Sequence, residues 1–122
     1  MEKVSKVWGH EEIICNYDYC GKKLVLEKNG FCSMHYHKNK DETFYIIKGK
    51  IRLETYLSDK KDGFKEQILE VGEYVRILPF VPHRFVGLED SEIIEFSTHH
   101  EDEDSYRLEG MLSGRIEVEK NE

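Results

Sequence analysis

Nine short runs rich in β-branched and aromatic residues, punctuated by Gly, Asn and Asp, leave this chain few folds to choose from. They predict strands over residues 11–16, 22–28, 32–37, 42–48, 51–57, 64–70, 74–78, 83–86 and 92–97. The stretch Ile51-Arg52-Leu53-Glu54-Thr55-Tyr56-Leu57 alternates as a half-buried strand should. Lys48-Gly49-Lys50, residues 59–63 and Gly72 read as turns. No segment carries a useful helical period, apart from a short turn expected after Ser105. Many short strands at near-regular spacing give an all-β antiparallel sandwich or barrel. With 122 residues the chain makes one domain, which buries roughly 65–70% of its unfolded surface and has a core without staples.

Charge and cysteine content narrow the function classes. A net charge of −7 argues against nucleic acid or an anionic membrane as partner. No apolar stretch approaches a membrane span, and the charged start, residues 1–7, lacks a signal-peptide core. A cytoplasmic protein is expected. Cys15, Cys20 and Cys32 are an odd count without an export signal, so they read as reduced, small buried residues.

The chemistry concentrates in Met34-His35-Tyr36-His37 and the residues downstream. On a strand, His35 and His37 leave the same face, roughly 7 Å apart along the backbone. Two imidazoles so placed repel when protonated, unless a divalent metal rewards the arrangement. Glu42 lies a few residues on, and the Pro-rich turn Leu78-Pro79-Phe80-Val81-Pro82 aims His83 at the head of a new strand. His35, His37, Glu42 and His83 form a set that suits Zn, Mn, Fe, Ni or Co.

Gly30-x4-His35-Tyr36-His37-x4-Glu42-x6-Gly49 resembles the first motif of the cupin superfamily. Gly72-x6-Pro79-Phe80-Val81-Pro82-His83 resembles the second. The resemblance covers roughly residues 22–97 and implies a cupin-type double-stranded, jelly-roll-like barrel, with residues 4–16 an N-terminal strand region and 98–122 a tail. Two departures stand out. The Gly30-to-His35 gap is one residue shorter than usual, and Phe80 or Val81 replaces a common glycine. At the flanks, Val7-Trp8-Gly9-His10-Glu11-Glu12, Gly21-Lys22-Lys23, Ile94-Glu95-Phe96-Ser97-Thr98 and Asp104-Ser105-Tyr106-Arg107-Leu108-Glu109 are similar to the C-terminal cupin domain of type II mannose-6-phosphate isomerases.

Alternation places Phe44 and Ile46 with Glu42, and Phe85 with His83, as cavity walls, while Tyr36 faces away from the metal. Trp8 is expected to pack over a barrel end. His10, His99 and His100 read as solvated, the last two beside the acidic run 101–104. Arg76, Arg84, Lys22, Lys23 and Arg107 are the cations near the motifs, each by default a surface charge. Glu95 is either a buried general base or an exposed face residue.

The resemblance implies a metal-dependent isomerase or epimerase of a sugar or sugar phosphate. Glu95 would move the proton, and Arg107 or Lys22 would receive an anionic end. A non-catalytic sugar-binding cupin and an iron-dependent dioxygenase are the alternatives. The resemblance also implies a homodimer, with residues 4–14 the natural edge.

Overall fold

The computed structural model describes residues 1–56 and 64–117, and the expected turn at 59–63 lies outside them. In chain order the strands are β1 (Glu2–Lys6), β2 (Gly9–Asn16), β3 (Tyr19–Leu26), β4 (Gly30–Phe31), β5 (His35–Tyr36) and β6 (Glu42–Lys48). Then come β7 (Lys50–Tyr56), β8 (Phe64–Glu70), β9 (Tyr74–Ile77), β10 (His83–Gly87), β11 (Ser91–Thr98), β12 (Tyr106–Arg107) and β13 (Gly114–Arg115). One sheet runs β1-β2-β3-β11-β6-β9; the second runs β12-β5-β10-β4-β13, with β7 on β10 and β8 on β7. All pairings are antiparallel, which is the expected all-β, cupin-type architecture, although the sheets are not strictly closed. Among the described residues no helix is long and apolar enough to cross a membrane.

Alternation decides which side chains meet between the sheets. In β6, Glu42, Phe44 and Ile46 are buried, while Tyr45 and Ile47 face outward. In β3, Cys20, Lys22, Leu24 and Leu26 point in; in β11, Ser91, Ile93 and Glu95 do. Trp8, Leu24, Leu26, Phe44, Ile46, Ile51, Leu53, Leu69, Ile77, Phe85 and Ile93 form one apolar cluster. It fills the barrel beneath a polar upper half. Burying each large side chain of this kind stabilises the fold by about 1.5–3 kcal/mol.

Two backbone positions explain parts of the glycine pattern. A side chain at Gly30 would press within 2.9 Å of the Trp8 backbone oxygen, so only glycine lets Trp8 close that end. Phe80 has φ of 71°, the left-handed region, and is 62% exposed. It is the residue standing where glycine is common, and the conformation shows why glycine is common there.

Several sequence expectations need correction. The strand expected over 32–37 is two short pieces, because residues 32–34 bond elsewhere. Cys32 N–H donates to Phe85 O, Phe85 N–H to Cys32 Sγ, and Met34 N–H to Met111 O. Strand β1 is absent from the nine predicted runs; its charged, alternating residues give a weak signal. A 3-10 turn spans Asp102–Asp104, ahead of Ser105 rather than after it.

Candidate functional site

Cross-strand register brings the three histidines together. β10 pairs with β5 so that His83 lies directly opposite His35, with ring centroids 4.5 Å apart. His37, two residues further, shares that face, its ring 5.1 Å from His35 and 5.9 Å from His83. One ring nitrogen from each lies within 4.8 Å of the others. From the opposite sheet, Glu42 places Oε1 3.4 Å from His37 Nε2 and Oε2 3.3 Å from His83 Nε2.

Each imidazole is aimed by the backbone. Nδ1 lies 2.8 Å from Ser33 O in His35, 2.9 Å from Asp104 O in His37 and 3.0 Å from Val81 O in His83. A carbonyl only accepts, so each Nδ1 carries the proton and each Nε2 presents a lone pair. Burial, reinforced by the neighbouring His83, lowers the His35 pKa to about 3. Burial likewise lowers that of His37, against the pull of Glu42. Burial alone would raise the Glu42 pKa, but the hydrogen bond and charge of His83, with the charges of Lys40 and His37, hold it well below the usual carboxylate range. Glu42 Oε2 and His83 Nε2 are buried without a hydrogen-bond partner. Such orphans are expensive in a folded protein unless something else occupies the gap. Neutral imidazoles, an ionised carboxylate and two orphaned donor atoms fit a divalent cation, and the three-histidine cluster can hold one.

The cavity around this group has a volume of about 600 Å³. Leu24, Leu26, Phe44, Phe85, Ile93 and Trp8 make its apolar wall. Phe44 and Phe85 therefore take the places expected of them, whereas Ile46 is buried in the core and not part of the lining. Trp8 both closes the barrel end and lines the cavity. Tyr36 faces away and stacks on Tyr106 at 5.3 Å.

Glu95 resolves to the inward alternative: it is 4% exposed, lines the cavity and accepts a hydrogen bond from Ser97 Oγ. Lys22 also points in, 2% exposed, with Nζ 3.5 Å from Glu11. Arg107, opposite His35 in register, lines the mouth and is exposed. Arg76, Arg84 and Lys23 do not join the site; they pair with Asp41, Glu54 and Glu92 respectively.

Three functional neighbours escape the sequence reading. Lys40, 2% exposed, sets Nζ 3.0 Å from Glu42 Oε1, 2.7 Å from Glu95 Oε2 and 2.9 Å from His100 Nδ1. Burial would lower its pKa, but Glu95 and Glu42 together raise it, so the ammonium is retained. Its parity with Glu42 is a readable signal: residues 40, 42 and 44 share a face. The expectation of a solvated His100 is wrong, since this ring lines the cavity between Lys40 and Asp102. Asp104, expected within a solvated acidic run, is 5% exposed, and its carboxylate accepts the N–H groups of Lys38 and Asn39. His99 and His10 are peripheral as expected, beside Tyr17 O and Glu12. The three cysteines are free, Cys20 buried and Cys15 and Cys32 partly so. Burial raises the Cys32 pKa to about 11.

Comparison with known proteins agrees with this geometry. Oxalate decarboxylase from Bacillus subtilis, in its structure at pH 4.6, superposes with a TM-score of 0.74 at 16% identity, over 88% of this chain and 30% of that one. The oxalate decarboxylase formate complex from Lactobacillus farciminis gives 0.74 at 16%, over 88% and 33%. KdgF from Halomonas sp. gives 0.66 at 20%, over 77% of this chain and 81% of its own. This chain thus spans about a third of the length of the oxalate decarboxylases. No curated protein matches the sequence. The family model described as Cupin matches residues 18–115, covering both histidine motifs and the strands between, and so this chain belongs to the cupin family.

Proposed function

We propose that this cupin is a metal-dependent isomerase or epimerase acting on a sugar or sugar phosphate. The observation that carries the reading is the pairing of two features in one cavity. Three Nε2 lone pairs and the Glu42 carboxylate converge there, and the buried carboxylate of Glu95 is tied to them through Lys40. His35, His37, His83 and Glu42 would hold the ion. Zn, Mn, Fe, Ni and Co all suit that set, and the Mn(II) centres of Bacillus subtilis oxalate decarboxylase make manganese a natural first choice. Such an ion supplies a Lewis acid for the negative charge that develops on adjacent carbonyl and hydroxyl oxygens of the substrate.

The chain's own residues do the rest. Glu95 takes the proton from the carbon beside the carbonyl; the C–H electron pair forms the C=C bond of an enediolate. Returning that proton to the neighbouring carbon completes an aldose–ketose shift, and returning it to the opposite face of the first carbon completes an epimerisation. Lys40 orients Glu95 and Glu42 together. Arg107, at the mouth without an ion-pair partner among the described residues, receives an anionic end, with Lys22 deeper in the wall.

One observation favours a second reading, non-catalytic sugar binding. A carboxylate salt-bridged at 2.7 Å is a weaker base than a free one, and Glu95 is so bridged. Both readings meet the same test. Metal-loaded protein is incubated in deuterated water with a panel of sugars and sugar phosphates, following solvent deuterium at the carbon beside the carbonyl. The isomerase reading expects uptake and interconversion that Glu95→Gln abolishes with metal retained, and that His83→Ala abolishes with metal lost. Binding without uptake across the panel would leave the sugar-binding protein. Consumption of dissolved oxygen with ferrous iron would point to a dioxygenase instead.

A further inference from the structure

Strand β1 is an unpaired edge whose sequence complements itself. It ends the six-stranded sheet, bonded to β2 alone among the described residues. Lys6 and Gly9 flank a two-residue turn and are therefore a mutually hydrogen-bonded pair. By alternation Val4 and Glu2 also bond inward to β2. The N–H and C=O groups of Lys3 and Ser5 consequently point away from the sheet, a template for another strand. On the same strand Glu2, Val4 and Lys6 line the cavity.

We propose that two copies of this chain pair antiparallel through β1 about a two-fold axis at Val4, so that each copy contributes Lys6 to the rim of the other's cavity. Only three registers let Lys3 and Ser5 bond a second copy of themselves. Setting Lys3 opposite Lys3 places like charges face to face, which is destabilising. Setting Ser5 opposite Ser5 leaves Glu2 without a partner. The register centred on Val4 sets Lys3 opposite Ser5 twice, giving four backbone hydrogen bonds. On the cavity face it sets Glu2 opposite the partner's Lys6 twice, with Val4 on the partner's Val4. On the outer face it brings Met1, 83% exposed, to the partner's Val7, 58% exposed, so two apolar side chains gain cover. Charge, backbone and apolar surface all choose the same alignment. The interface stands independently of the reaction assigned to the cavity.

Sedimentation velocity on the full chain tests this. Wild type is expected to sediment as a dimer. Ser5→Pro removes only the N–H that points away from β2, so the hairpin remains while the dimer weakens at least about tenfold. Glu2→Lys and Lys6→Glu each place like charges opposite and dissociate the dimer, and the combined swap restores it. Val4→Cys sits at a non-hydrogen-bonded pair on the axis, close enough for a disulfide, so mild oxidation should cross-link the two copies at this position, as peptide mass mapping would show. A monomeric wild type would overturn the proposal. So would a dimer indifferent to Ser5→Pro and both charge reversals, which would place the interface elsewhere, for instance on the outer face bearing Tyr45, Tyr74 and Phe96.

Discussion

The two sheets bring opposite kinds of group to one cavity and hold them by opposite means. The second sheet delivers His35 and His83 from β5 and β10, with His37 just beyond β5. All three rings are neutral, each steered by one backbone carbonyl. The six-stranded sheet delivers Glu42, Glu95 and Lys22, with Lys40 leading into β6. These groups are charged and steer one another, Lys40 lying between two carboxylates. A ring held by a carbonyl tolerates the loss of its neighbours. A buried ammonium between two carboxylates does not, because each charge depends on the others for compensation.

The largest break between the two halves should come from Lys40→Met, which leaves Glu42 and Glu95 buried without their cation. Metal-free protein is expected to lose about 3–5 kcal/mol in urea unfolding. Adding divalent metal should recover part of it by neutralising Glu42, and Lys40→Met with Glu95→Gln should recover more. A variant as stable as wild type would show that the two carboxylates are not held by Lys40 at all.

Acid sharpens the same contrast. In the unfolded chain a histidine takes up its proton near pH 6.5, whereas folded His35 does so only at about 3 and folded His37 also below its ordinary value. The unfolded state thus binds more protons as pH falls through this window. Stability is fully present above about 6.5 and is lost progressively toward 3. Glu42, held low, loses its contribution in the same direction, below its ordinary range. Melting of chelator-treated protein from pH 7.5 to 4 should show a falling midpoint, and His35→Phe should flatten the upper part of that fall. A midpoint constant from pH 6.5 to 4 would contradict buried neutral imidazoles.

Legibility in the sequence divides along the same line. The histidine half is readable because its determinants are local: a two-residue spacing fixes His35 and His37 on one face, and Pro79 and Pro82 prepare His83. Glu42, Phe44 and the inward option for Glu95 come from alternation as well. Long-range pairing is not readable. His100 reaches Lys40 across 60 residues and Asp104 reaches Lys38 across 66, and no spacing rule joins such positions. Strand β1 escapes for another reason. As an edge strand it buries little, so its sequence carries scarcely any apolar alternation.

A smaller effect is expected where the two regimes touch. The Asp104 carbonyl aims His37, and its buried carboxylate fixes the turn at Lys38 and Asn39 that keeps this carbonyl in place. Asp104→Ala keeps the carbonyl but frees the turn. Loss of about 1–2 kcal/mol and roughly tenfold weaker metal binding by titration are expected, the scale of an outer partner of a ligand. Asp102→Ala is the control from the same acidic run: its side chain is 97% exposed and bonds only His100, so metal affinity should stay within about twofold. Equal effects of the two would mean that acidity of the run, rather than the buried geometry of Asp104, supports the site.

The smallest effect should be a gain. Phe80 N–H donates to His37 O at 2.6 Å, tying the second motif to the first, and that bond requires Phe80 to keep its left-handed backbone. For a side chain bearing Cβ this conformation costs roughly 1–2 kcal/mol, while glycine gives back about 0.5–1 in chain entropy. Because the ring is largely exposed, removing it forfeits little burial. Phe80→Gly should therefore stabilise the protein by about 0.5–1 kcal/mol in urea unfolding, whereas Phe80→Ala, which keeps Cβ, should bring no gain. A stabilising Phe80→Ala together with a destabilising Phe80→Gly would mean that the ring, not the backbone, decides this turn.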